Sequence, residues 1–277
     1  MSWKATYLQA GTCRHPECVV LRGGSWGPRE IPALVVHLHH PLHGHLLFDT
    51  GYAASFLEAT RPFPERLYAW VTPVDIPAQQ CARSQLQALG IAPSAITTVV
   101  LSHLHGDHVA GLADFPTARI AVRRDAVETF LGASRWNAVR KGYLRALLPS
   151  DLRDRAWWID DLPTRALPDT LSEFGTGADL FGDGSFLLVD LPGHAPGQVG
   201  AFFVDSTRGS TFLVADACWA REALESWRPP HPITHLVAHD SRAMRDTLRA
   251  LVALRQRDPS LLIVPSHCGR TLETLRV

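Results

Sequence analysis

The sequence has no apolar run of membrane-spanning length. Apolar stretches such as Ile96 to Leu101 and Leu261 to Val264 fall far short of the ~20 residues that a bilayer-crossing helix requires. It has no excess of charge of either sign, because Lys+Arg and Asp+Glu each number 27. That balance disfavours a nucleic-acid binder built on phosphate neutralisation. Cysteine is scarce and odd in number: Cys13, Cys18, Cys81, Cys218 and Cys268 are scattered, which suits reduced thiols better than a disulfide framework. The opening stretch MSWKATYLQAGTCRHPE lacks the apolar centre of a signal peptide, and together with the thiols it predicts a cytoplasmic address. Repeats, low-complexity tracts and interdomain linkers are missing too, so the 277 residues read as one domain, 1–277.

What is present in quantity is apolar material, 46% hydrophobic against 19% charged, enough for a large core. Leu34 to His39 and His45 to Phe48 read as two strands joined by a turn at Pro41 to Gly44. Ile96 to Leu101, Arg119 to Val122, Phe186 to Leu191, Ala201 to Asp205, Thr211 to Ala215 and Leu261 to Pro265 are further strand candidates. Asp75 is a candidate cap for a helix carrying Ala82, Leu86 and Leu89, with Gly90 as its stop. A second amphipathic helix lies between Asp240 and Asp258, with Arg242, Arg245 and Arg249 on its outer face. Trp136 to Gly177 reads as a helical cap or lid inserted at about 136–177, with Trp157 and Trp158 beside a cleft. Strands alternating with helices predict an α/β layered fold with its site at one sheet edge.

Histidine is abundant, at 14 residues, and imidazole is the commonest metal-binding side chain. His103-Leu104-His105-Gly106-Asp107-His108 sets three imidazoles and a carboxylate directly after an apolar strand. Residues i and i+2 at a strand end point the same way, so His103 and His105 can share one ion, while the following turn aims Asp107 and His108 elsewhere. Gly106 is read as the residue that permits the sharp turn. Mixed nitrogen and oxygen ligands suit zinc, iron, manganese or cobalt. Three more apolar strands end in a candidate ligand: His194 in Gly193-His194-Ala195-Pro196-Gly197, Asp216 after Ala215, and His267 after Ser266. One tetrahedral zinc uses at most four of these seven side chains, and three left buried without a partner would cost several kcal/mol, so two ions are expected.

HLHGDH, GHAPG, the aspartate at 216 and SH at 267, with Phe48-Asp49-Thr50-Gly51 ahead of them, resemble the metallo-β-lactamase superfamily across about residues 34 to 270. The resemblance implies a four-layer αβ/βα sandwich with two divalent metal ions, zinc first, between the sheets. His103, His105 and His194 would hold one ion, Asp107, His108 and His267 the other, and Asp216 would bridge them. Such a pair holds a hydroxide at neutral pH and polarises a carbonyl oxygen, and Asp107 would shuttle the proton to the leaving group. The ligand order is most similar to the N-acyl homoserine lactonase-like branch, implying hydrolysis of a lactone or related carboxylic ester. Its partner is then a small molecule, with neither nucleic acid nor membrane, and with a homodimer left open. That branch commonly carries a tyrosine shortly after the bridging aspartate, where this chain has Trp219, a donor without acid function that is read as a pocket wall.

A glyoxalase II-like thioesterase, a phosphotriesterase and a mononuclear iron oxygenase of the persulfide dioxygenase kind are the alternatives. Cys218 and Cys268 are not needed as ligands. His37, His39, His40, His43 and His45 read as hairpin histidines on a half-exposed surface, and His231, His235 and His239 as structural or rim residues.

Overall fold

The computed structural model describes residues 2–276. Its strands, in chain order, are β1 Lys4–Pro16, β2 Pro28–His40, β3 Gly44–Phe48, β4 Val74–Asp75, β5 Ile96–Val100, β6 Arg119–Val122, β7 Ala156–Trp158, β8 Thr164–Ala166, β9 Thr176–Asp179, β10 Phe186–Asp190, β11 Val199–Asp205, β12 Gly209–Ala215 and β13 Leu262–Pro265. They make two mixed sheets, one ordered β4-β1-β2-β3-β5-β6-β7 and the other β13-β12-β11-β10-β9-β8. β2 and β3 form the expected hairpin, with His39 opposite His45.

Strand alternation decides which side chains meet where. The inward set Leu34, Val36, Leu38, Leu46 and Phe48 packs with Phe186, Leu188, Phe203 and Leu213 of the other sheet in one buried cluster. The outward set includes Val35, Leu47 and Val99, which share a cluster with Phe56, Leu86 and Phe130; Phe202 and Phe212 join Leu248, Leu251 and Leu254 there. Helices thus cover both outer faces, and the molecule is a four-layer αβ/βα sandwich.

The long helix Ser241–Arg257 shows why the sequence breaks where it does. Asp240 caps it by accepting from the Arg242 and Ala243 amides, and Met244, Leu248, Leu251 and Leu254 are its buried apolar stripe. Each is worth roughly 1.5–3 kcal/mol of burial, far above any difference in helix propensity. The helix Ala82–Ala88 is capped differently from the expectation. Asp75 belongs to β4, where it pairs with Thr12, and the helix begins after Cys81 with no side-chain cap. Its end is as read: Gly90 has φ +77°, and the Ile91 amide bonds back to Leu86 O and the Gly90 amide to Gln87 O, the Schellman arrangement.

The segment 136–177 is divided rather than one helical insertion. β7 pairs in parallel with β6, β8 pairs with β9, and helical turns such as Arg135–Arg140 fill the part before β7. Trp157 and Trp158 accordingly sit on the edge strand of the first sheet, beneath the guanidinium groups of Arg119 and Arg124. Three-residue strands carry too little alternation to be read in advance. No helix among the described residues is long and apolar enough to cross a membrane.

Candidate metal centre

β3 and β5 run parallel, as do β12 and β13, and β10 runs antiparallel to β11, which is itself antiparallel to β12. The residues following β5, β10, β12 and β13 therefore emerge on shared sheet edges, and these are His103, His194, Asp216 and His267. All seven side chains singled out in the sequence come together. His103, His105 and His194 form one group, His103, His108 and Asp216 a second, and Asp107, His108 and His267 a third, each with its ligand atoms within 4.8 Å of one another.

In the first group, His105 Nδ1 lies 3.0 Å from His103 Nε2 and 2.9 Å from His194 Nε2. Three imidazole nitrogens meeting at one point cannot all be satisfied by one another, since each neutral ring has one lone pair and one proton. A cation that takes three lone pairs can satisfy them. Burial, then the neighbouring imidazoles, holds His103 and His105 well below the ordinary histidine value, and burial lowers His194 against the pull of Asp216. Neutral rings are what a metal needs.

On the other side His108 Nε2 and Asp216 Oδ1 are buried without hydrogen-bond partners, 3.3 Å apart. His267 Nε2 stands 3.1 Å from that same oxygen and 3.4 Å from Asp107 Oδ2. The other Asp216 oxygen, Oδ2, faces His194 Nε2 at 3.2 Å, so the carboxylate looks into both halves. Burial opposes charge on His108, yet Asp49, Asp107 and Asp216 hold it well above its ordinary value; Asp216 overcomes burial in the same way for His267. Burial favours a neutral Asp216, but His267, His108 and His194 hold it well below the usual carboxylate range. The donor set, with two orphaned atoms and converging imidazoles, fits divalent cations.

Partners behind the rings orient them. Asp49 accepts from His108 Nδ1, Ser102 N and Ser102 Oγ, each at 2.8 Å. His267 Nδ1 donates to Pro32 O at 2.8 Å, and His105 bonds the backbone of Lys141. Such bonds fix which nitrogen faces the centre. Gly106 acts otherwise than expected: it opens the helical turn Gly106–Val109, and a Cβ there would lie 2.9 Å from the Phe56 ring. Close packing, not an unusual φ, demands glycine. Trp219 is not simply a wall, since its indole N–H donates to Asp216 Oδ2 at 3.0 Å.

Asp49 as a ring-orienting group, and the Lys141 backbone and Tyr143 ring beside His105, were missed in the sequence. The Phe-Asp-Thr-Gly run was a usable signal for the first; the second has none, because it lies on an irregular loop. Cys218 Sγ donates to Ala220 O and Cys268 Sγ accepts from the Arg221 amide, and neither joins the groups. His37 Nε2 contacts His45 Nδ1 and His43 pairs with Asp183, and His37 and His40 are buried rather than half-exposed as read from the sequence.

Comparison with known proteins places this geometry. The chain is 28% identical over 249 residues, 90% of its length and 86% of the relative's, to an N-acyl homoserine lactonase AttM of Rhizobium radiobacter. A solved N-acyl homoserine lactone hydrolase with N-hexanoyl-L-homoserine at its metal centre superposes with a TM-score of 0.75 at 20% identity, covering 100% of this chain and 98% of the other. AidC, a dizinc quorum-quenching lactonase, follows at 0.66 and 17%, covering 96% and 88%. The sequence profile of the metallo-beta-lactamase superfamily matches residues 26–267, a span that takes in every strand but β1 and all four histidine- and aspartate-bearing strand ends, and the chain belongs to that superfamily.

Proposed function

We propose that the protein is a metal-dependent hydrolase that opens lactones or related carboxylic esters and binds two divalent ions, zinc first. The observation that carries the reading is Asp216, whose Oδ2 faces one imidazole group and whose Oδ1 faces the other. His103, His105 and His194 would hold one ion, Asp107, His108 and His267 the second, and Asp216 both. Bound there, such ions supply an acidified water and a Lewis acid for the substrate carbonyl.

The chain's own groups supply the rest. Asp107 is half-buried where the other six are buried, so its carboxylate is the group that can take up a proton and pass it to the alkoxide oxygen released by ring opening. The Trp219 N–H holds Asp216 in one orientation. Asp49 keeps the proton of His108 on Nδ1 and its Nε2 open to the centre. A lactone is favoured over a thioester or phosphoester by the lactonase relative that matches across nine-tenths of the chain.

The test is a proton-release screen of acyl lactones, thioesters, phosphotriesters and bis-aryl phosphates on protein whose metal content is measured by elemental analysis. Fastest turnover of a lactone with close to two ions per chain is expected. Full activity at one ion per chain, or faster phosphodiester than lactone turnover, overturns the proposal.

A further inference from the structure

A cavity of about 190 Å³, lined by none of the seven candidate ligands, opens on the helix Ser241–Arg257. Two successive rungs of that helix build it. Met244 and Leu248, four residues apart and buried, are the floor, while Arg245 and Arg249, offset by one position and exposed, stand at the rim. Arg22 reaches the rim from the far end of the chain's first helical turn. Arg249 pairs with Asp246 at 2.7 Å, but among the described residues neither Arg22 nor Arg245 has an acidic partner, and no acidic residue lines the cavity.

One wall is Trp227. It is 38% exposed, the Arg249 guanidinium stands over it at 5.5 Å, and its backbone is left-handed, with φ 48° and ψ 59°. That conformation closes the helix Arg221–Ser226, an end position more often filled by glycine, and it holds the indole at the cavity. An apolar floor, an aromatic wall and unpaired guanidinium groups at the mouth are complementary to a ligand with an apolar body and one negative end. A cavity of roughly 150 Å³ accommodates a benzene ring, so this one has room for a ring or short acyl chain carrying a carboxylate.

We propose that this cavity binds a small organic monoanion, a carboxylate on a short apolar or aromatic body, with the carboxylate at Arg22 and Arg245 and the body between Trp227, Met244 and Leu248. The site shares no residue with the seven candidate ligands and does not depend on the activity proposed above.

The test is calorimetric titration of the zinc-loaded full chain with benzoate and hexanoate, using benzamide and hexanamide as uncharged counterparts. Benzoate or hexanoate is expected to bind in the millimolar range or tighter, and its amide about ten-fold more weakly. The paired substitution Arg22→Gln with Arg245→Gln, both exposed, should weaken the acid about ten-fold and leave the amide unchanged. Trp227→Gly keeps the left-handed backbone, removes the wall, and should weaken both. Carboxylate binding that survives both variants belongs to the metal centre and overturns the proposal. So does equal binding of acid and amide, or no binding in the millimolar range.

Discussion

Replacing Asp49 tests whether the centre is held together from behind. The carboxylate is fully buried and accepts three hydrogen bonds, from Ser102 N, Ser102 Oγ and His108 Nδ1. In Asp49→Ala the Ser102 hydroxyl still has His103 Nδ1 at 3.0 Å and stands 3.4 Å from His108 Nδ1, so the Ser102 amide is stranded in the interior and the His108 N–H keeps only that long contact. The stranded amide costs about 1–3 kcal/mol, and the weakened His108 bond brings the loss to at most about 6 kcal/mol. The backbone adds to it, because Asp49 has φ 61° and alanine tolerates that region less well than aspartate or asparagine. Asp49→Asn keeps one acceptor oxygen and the backbone preference, so about 1–3 kcal/mol is expected there. With His108 no longer oriented, metal affinity should fall about 10–100-fold. Urea unfolding of the metal-free protein reads the first effect and competition with a chelator the second. Asp49→Ala unfolding within about 0.5 kcal/mol of the parent, with unchanged zinc affinity, would refute the reasoning.

Trp219→Phe removes the N–H that restrains Asp216 Oδ2 while keeping the ring; metal affinity should drop about ten-fold with little change in unfolding midpoint, and chelator competition showing parental affinity would count against the restraint. Gly193→Ala places a Cβ 2.0 Å from Met244 N at a φ of +125°, so more than about 4 kcal/mol of stability should be lost; a soluble variant with the parent's melting temperature contradicts this. His37 takes its proton near 6.5 when unfolded but only near about 4 when folded, because burial, then His45 and His39, oppose its charge. Its contribution is therefore complete above pH 6.5 and is lost as the pH falls through 4, up to about 3 kcal/mol. His37→Leu should unfold with a shallower pH slope across that window, and identical slopes would exclude the coupling.

The candidate ligands were legible because the signals are local. An apolar run too short for a helix, ended by a histidine or aspartate, states both the strand and the group at its tip, and the runs leading to His103, His194, Asp216 and His267 are of this kind. The helix Ser241–Arg257 was legible for the same reason, with its cap and stripe contained in eighteen residues. Tertiary structure alone decided which tips meet. Asp49 and His108 are 59 positions apart and His267 and Pro32 are 235 apart, and such pairs exist only once β3 lies beside β5 and β2 beneath the His267 loop. The indole of Trp219 was readable as a donor, but its acceptor depended on how the loop after β12 folds back. β7 and β8 were hidden because three residues show no period; neighbouring strands supply their order. Sequence by itself determined the chemistry each strand end can offer, since a side chain's ligating atoms come with the residue. Only packing decided where those atoms converge, because distance between strand ends is a property of the sheets.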